Sequence, residues 1–233
     1  MKLNLRAQLE KLKLLFFHPD EFFISVKNEK KYFPILIYYA IIYIAFVLIV
    51  NLISLPAIII GIYKGANAAL SMLTLIIIPF SIIFGAIYAF VVPFIGSAVT
   101  HLGVLIFRGK NGFFNTFKPV TYAMIIPLIY GLVASIIFDI VRILFYMFNI
   151  NSIYNYTATT MNSLDLVLII FVFIIVLVLV IHSVIAQVKG ISLFQKLSKL
   201  RAFLAIIIIP LILFLLMIIF IIGMVVLVGM ASL

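Results

Sequence analysis

Residues 203–228 read FLAIIIIPLILFLLMIIFIIGMVVLV, without one charged side chain. At 1.5 Å of rise per residue, about 20 apolar residues cross the hydrocarbon core of a bilayer. In that solvent a helix satisfies its own backbone N–H and C=O groups. The strands of a membrane barrel would instead alternate apolar and polar residues over about ten positions. This run does not alternate. Four further apolar stretches, at about 33–60, 70–107, 119–148 and 164–186, join one at 203–230. The reading is an all-α integral membrane protein with five transmembrane helices. Residues 1–31 form a cytoplasmic or interfacial amphipathic segment, and residues 32–233 form the spanning domain.

Composition supports the same solvent. Of the 233 residues 67% are hydrophobic and 9% charged, against roughly 25% charged in a soluble domain. Too few charges are present to coat a water-facing surface. The net charge of +10 is read as basic ends facing anionic lipid head groups, with no nucleic-acid partner. With the N-terminus cytoplasmic and the C-terminus outside, five spans place 14 of the 16 Lys and Arg residues on the inner side, leaving only Lys64 and Arg142 towards the outside. Splitting 70–107 into a hairpin would destroy that asymmetry. One long span is therefore expected, with Pro79 and Pro93 as places for a bend.

Before the first span, Leu5, Leu9, Leu12 and Phe16 recur at helical spacing among Arg6, Lys11 and Lys13. This suits a short helix either on the membrane surface or packed on the inner loops. His18-Pro19 interrupts it, and Pro19-Asp20-Glu21 begins a second short helix with proline and acids in the first turn. Residues 1–15 lack the apolar core of a secretory signal, so the first span is expected to direct insertion. Residues 149–162 form a polar outer loop in which Asn155-Tyr156-Thr157 fits the glycosylation sequon.

Candidate sites are sparse. Gly85, Ala89, Gly96, Thr100 and Gly103 share one face of the second span, where small residues let helices approach closely or line a permeation path. His101 and His182 lie seven residues before Arg108 and Lys189, so each sits roughly 10 Å inside the same boundary. Two imidazoles at one depth are candidates for a metal or proton site, against the simpler reading of single hydrogen bonds. Asp139 and Arg142, three apart, are expected to pair near the outer surface, with Lys64 and Asp165 also on that side. No ionisable side chain is left at mid-membrane, where ion-coupled transporters place theirs. There is no cysteine, no H-E-x-x-H pair, no G-x-S-x-G elbow and no phosphate loop; Arg108-Gly109-Lys110-Asn111-Gly112 has the wrong spacing for one and reads as a tight turn. No cofactor and no catalytic residue is expected.

Taken in order along the chain, Pro19-Asp20-Glu21-Phe22-Phe23, His101, Gly109-Lys110-Asn111-Gly112-Phe113-Phe114, Phe117 and Tyr122-Ala123 leading to Pro127 resemble the pattern of the Yip family, the Ypt/Rab-interacting proteins, in a compact prokaryotic form. The resemblance runs from about residue 14 to the end. It implies five spans with a cytoplasmic N-terminus and a non-enzymatic role. Eukaryotic members contact small GTPases and one another in the early secretory pathway. The long polar region those members carry ahead of the first span is missing here, so a GTPase partner is not carried over. The expected function is a scaffold or adaptor in membrane organisation or trafficking in a prokaryotic cell membrane, with anionic lipid, a second copy or another membrane protein as partner. The alternative is a small-solute or ion permeation protein using the long, proline-broken second span.

Overall fold

A computed structural model describes residues 5–63, 68–147 and 163–231, and every element among them is a helix. In chain order these are α1 (Leu5–Phe17), α2 (Pro19–Ser25), α3 (Tyr32–Tyr63), α4 (Ala68–Ile106), α5 (Phe114–Ala123), α6 (Ile125–Met147), α7 (Ser163–Gln195) and α8 (Lys199–Ala231). Five stretches are long and apolar enough to cross a membrane: Tyr32–Ile60, Leu75–Ile106, Phe114–Val141, Ile170–Gln195 and Lys199–Val225. Between 11% and 22% of each apolar window is buried. Most of these Ile, Leu, Val and Phe side chains therefore face outwards, as they do when the surrounding solvent is hydrocarbon.

The stretch 70–107 is one uninterrupted helix that carries Pro79 and Pro93 inside it. Helical limits elsewhere depart from the apolar limits. The third span starts earlier than residue 119, at Phe114, and breaks at Met124 between α5 and α6. Pro127 explains the break, since its ring lacks an N–H and crowds the carbonyl four residues back. That carbonyl, on Ala123, instead receives a long hydrogen bond of 3.4 Å from the Ser183 hydroxyl. The fourth span continues beyond residue 186, through Lys189, to Gln195.

The helices sort into two compact units. One comprises Lys31–Pro93 and Thr121–Ser183. Its main contact lays α3 along α6, with Gly131 against the Phe46 ring. Polar groups on these helices find partners rather than lipid. The Ser54 hydroxyl donates to the buried Asp139 carboxyl at 2.6 Å, and the Asn51 amide donates to Val47 O and to Ser81 Oγ. Tyr43 stacks on Tyr88 at 5.3 Å between centroids. The Tyr43 ring also lies 3.3 Å from where a Cβ on Gly85 would stand.

The other unit comprises Met1–Lys30, Phe94–Val120 and Val184–Leu233. Here α1 and α2 form a helical hairpin. His18 stands outside the helical region at φ −134°, Pro19 opens α2, and Asp20 and Glu21 occupy its first turn. Leu15, Phe22, Phe23 and Val26 are fully buried. α2 packs on other helices of its unit. The Phe23 ring meets Phe194 of α7 edge-on at 6.0 Å, and a Cβ on Gly190 would collide with Pro119 of α5 and the Phe23 ring.

Candidate functional site

The polar groups of the unit that contains α1 and α2 converge where α4, α5 and α7 end or begin. The helix α4 closes with Gly109 N–H on Val104 O at 2.9 Å and Arg108 N–H on Leu105 O at 3.0 Å. These paired bonds are the Schellman closure, whose left-handed position is usually glycine. Here that position is Arg108, at φ 62°. Lys196, just past the end of α7, is also left-handed at φ 54°. For an L-residue this conformation costs roughly 1–2 kcal/mol, offset by about 0.3–1 kcal/mol where a cation meets the negative end of a helix. The glycine beside Arg108 has its own reason: a Cβ on Gly109 would strike Val104.

Gln195, the last residue of α7, ties the two turns together. Its Oε1 accepts the Asn111 backbone N–H at 3.0 Å, which fixes the orientation of the amide, because only oxygen accepts from an N–H. Its Nε2 then donates to Gly112 O and to Thr116 Oγ1, both at 2.9 Å. The Thr116 hydroxyl hydrogen is thereby left for His101 Nδ1, 2.9 Å away. The Asn111 side chain adds a bond to Phe194 O. Phe113 meets the His101 ring edge-on at 5.5 Å.

Lys118 occupies the middle of this assembly. It is 1% exposed, and its ammonium donates to Val26 O at 3.0 Å and Lys27 O at 3.1 Å. The Phe194 and Phe114 rings lie 4.6 and 5.2 Å from it. The carbonyls belong to the C-terminal end of α2, where intrahelical donors run out. At the other end of α2, Asp20 pairs with Lys189 of α7 at 2.7 Å. Both ends of a seven-residue helix are thus held by charge, one by α5 and one by α7.

The residues singled out from the sequence are distributed as follows. His101 and His182 each meet a hydroxyl of their own unit, Thr116 for the first and Tyr130, at 3.1 Å, for the second. Among the described residues no three His, Asp or Glu side chains come together in a way that would hold a metal. Gly85, Ala89, Thr100 and Gly103 are buried and Gly96 is half-buried. At Gly103 the α8 backbone comes so near that an added Cβ would collide with Ala205 O. Tyr122 packs edge-on against Tyr38 at 5.8 Å. Lys64 and Asn155 lie outside the described residues, as do the side chains of Arg142 and Asp165. Two residues central to the assembly carry no such signal: in sequence Lys118 is one basic residue among those of the inner side, and nothing separates Gln195 from Gln187, eight positions earlier.

Five spanning helices with a short helical hairpin docked beside their loops define a polytopic helical membrane protein. The chain belongs to the Yip1 domain family, whose model matches residues 13–228. No curated protein and no solved structure matches it.

Proposed function

We propose that this protein is a non-enzymatic scaffold or adaptor of a prokaryotic cell membrane, acting in membrane organisation or trafficking. Its N-terminus and the basic ends of its helices lie in the cytoplasm, and its partners are anionic lipid and either a second copy or another membrane protein. One observation carries the reading. The Gln195 amide clamps the α4–α5 turn to the α7–α8 turn, so the family-pattern residues build a fixed platform bearing exposed cations. A rigid, charged surface at the level where the spans end suits recognition of a surface or a partner. Two small-residue positions of α4 serve helix packing within the chain, Gly85 against α3 and Gly103 against α8, so the partner-facing surface is sought at the turns.

The test is purification into native-like lipid followed by mass measurement. A defined oligomer or a stoichiometric copurifying membrane protein is expected. A strictly monomeric species without partner or anionic-lipid preference rejects the reading. Sidedness has its own check: a reporter fused after Leu233 is expected outside, and cytoplasmic activity there overturns the orientation.

A further inference from the structure

We infer that the turns Arg108–Gly112 and 196–199 together form a binding site for the headgroup of an anionic phospholipid that carries two phosphates. The inference rests on the reading above that this end of the helices faces a lipid surface. Arg108, Lys110, Lys196, Lys199 and Arg201 are all exposed. No Asp or Glu lies in 107–113 or 194–201, and among the described residues none of the five forms an ion pair.

Three features separate this group from basic residues that merely mark the inner side of a membrane. The first is preorganisation. Asn111 and Gln195, the chain neighbours of Lys110 and Lys196, are hydrogen-bonded to each other, so two basic turns from distant segments are tied together before any ligand arrives. The second is position. The spans ending at Ile106 and Gln195 and the one starting at Lys199 place these side chains where hydrocarbon gives way to head groups, the level at which basic pockets between spans hold phosphate-rich lipids. The third is residue choice. The two described non-glycine residues with left-handed φ are Arg108 and Lys196. Glycine would close both helices with less strain, so a cation is kept at each place despite the backbone it must adopt. Because the cations stand on two turns, a headgroup with two separated charges spans them better than one with a single charge.

That residue choice also supplies the test. The double variant Arg108→Gly, Lys196→Gly removes two cations while relaxing both helix ends, so it is expected to fold with an equal or higher Tm. Wild type and variant, in neutral nanodiscs or zwitterionic detergent, are titrated with cardiolipin, phosphatidylglycerol, phosphatidylcholine and inorganic phosphate, with binding read by native mass spectrometry and thermal shift. Wild type is expected to prefer cardiolipin. The variant is expected to lose about thirtyfold in cardiolipin affinity, at roughly fivefold per cation near the surface. A second variant, Lys110→Gln with Lys199→Gln, leaves both left-handed residues in place and is expected to lose a similar factor. Cardiolipin affinity unchanged in both variants overturns the inference and leaves the proposed function standing. Equal protection by inorganic phosphate overturns the assignment to lipid. A wild-type protein indifferent to all anionic lipids defeats both the inference and the lipid part of the function.

Discussion

The Lys118 ammonium donates to the backbone carbonyl of Val26, 92 residues earlier in the chain, at 3.0 Å. A side chain that belongs to a spanning segment by position thus serves as the terminal cap of a helix that does not span. Hydrogen bonds to a charged group contribute about 1.5–3 kcal/mol, and the flanking Phe194 and Phe114 rings add roughly 0.5–2 kcal/mol of cation–π attraction. Replacing Lys118 by Met keeps much of the apolar stem and removes both terms. The expected result is local release of α2, seen as faster hydrogen exchange over residues 19–26 with the spans still protected. Unchanged exchange there would show that burial of Phe22 and Phe23 alone holds the helix.

The Gln195 amide satisfies three groups, on Asn111, Gly112 and Thr116. Leucine has a similar volume and satisfies none of them. Leaving buried polar groups unpaired costs about 1–3 kcal/mol each. Gln195→Leu is therefore expected to lower the Tm in detergent markedly. An unchanged Tm would show that these bonds do not hold the two turns together.

Two glycines of α4 that look equivalent in sequence are expected to behave differently. An added Cβ at Gly103 meets the Ala205 carbonyl, whereas at Gly85 it meets the side chains of Tyr43 and Val47, the nearest atom at 3.3 Å. Side chains can shift by a few tenths of an ångström, but helix backbone yields less readily. Gly103→Ala is expected to destabilise by about 1–3 kcal/mol, the range of overpacked cores, and Gly85→Ala by less. Thermal unfolding of the two variants in one detergent decides the order.

Ser54 and Asp139 lie 2.6 Å apart. A double-mutant cycle with Ser54→Ala and Asp139→Asn is expected to give a coupling of roughly 1 kcal/mol or more. Additive losses would mean that the other contacts of Asp139 dominate.

The spanning architecture was legible because it depends on local composition: residues 203–228 have no charge to place, whatever the rest of the chain does. The limits of the helices were less legible. Charge counting treats Lys118 and Lys189 as edge markers, but each is answered by groups far away in sequence: Val26 and Lys27 carbonyls for the first, Asp20 for the second. A charge that finds its partners within the protein no longer marks an edge: α5 begins before Lys118 and α7 runs past Lys189. The histidines illustrate the same limit. Their spacing from Arg108 and Lys189 predicts a common depth, whereas Thr116 and Tyr130 as their hydroxyl partners depend on which helices adjoin. The ordered family motifs fold into one assembly, to which His101, Asn111, Phe113 and Phe22-Phe23 all belong.

The dependence of α2 on Lys118 sets an order of events during synthesis. At about 5–20 residues per second, the ribosome takes roughly 5–20 s to add the 92 residues that separate Val26 from its donor, and Lys189 and Phe194 emerge later still. Over that interval Phe22 and Phe23 have no pocket to enter. α2 thus leaves the ribosome before the groups that hold it, and until they follow, Phe22 and Phe23 are available to insertion machinery or chaperones as an unburied apolar handle.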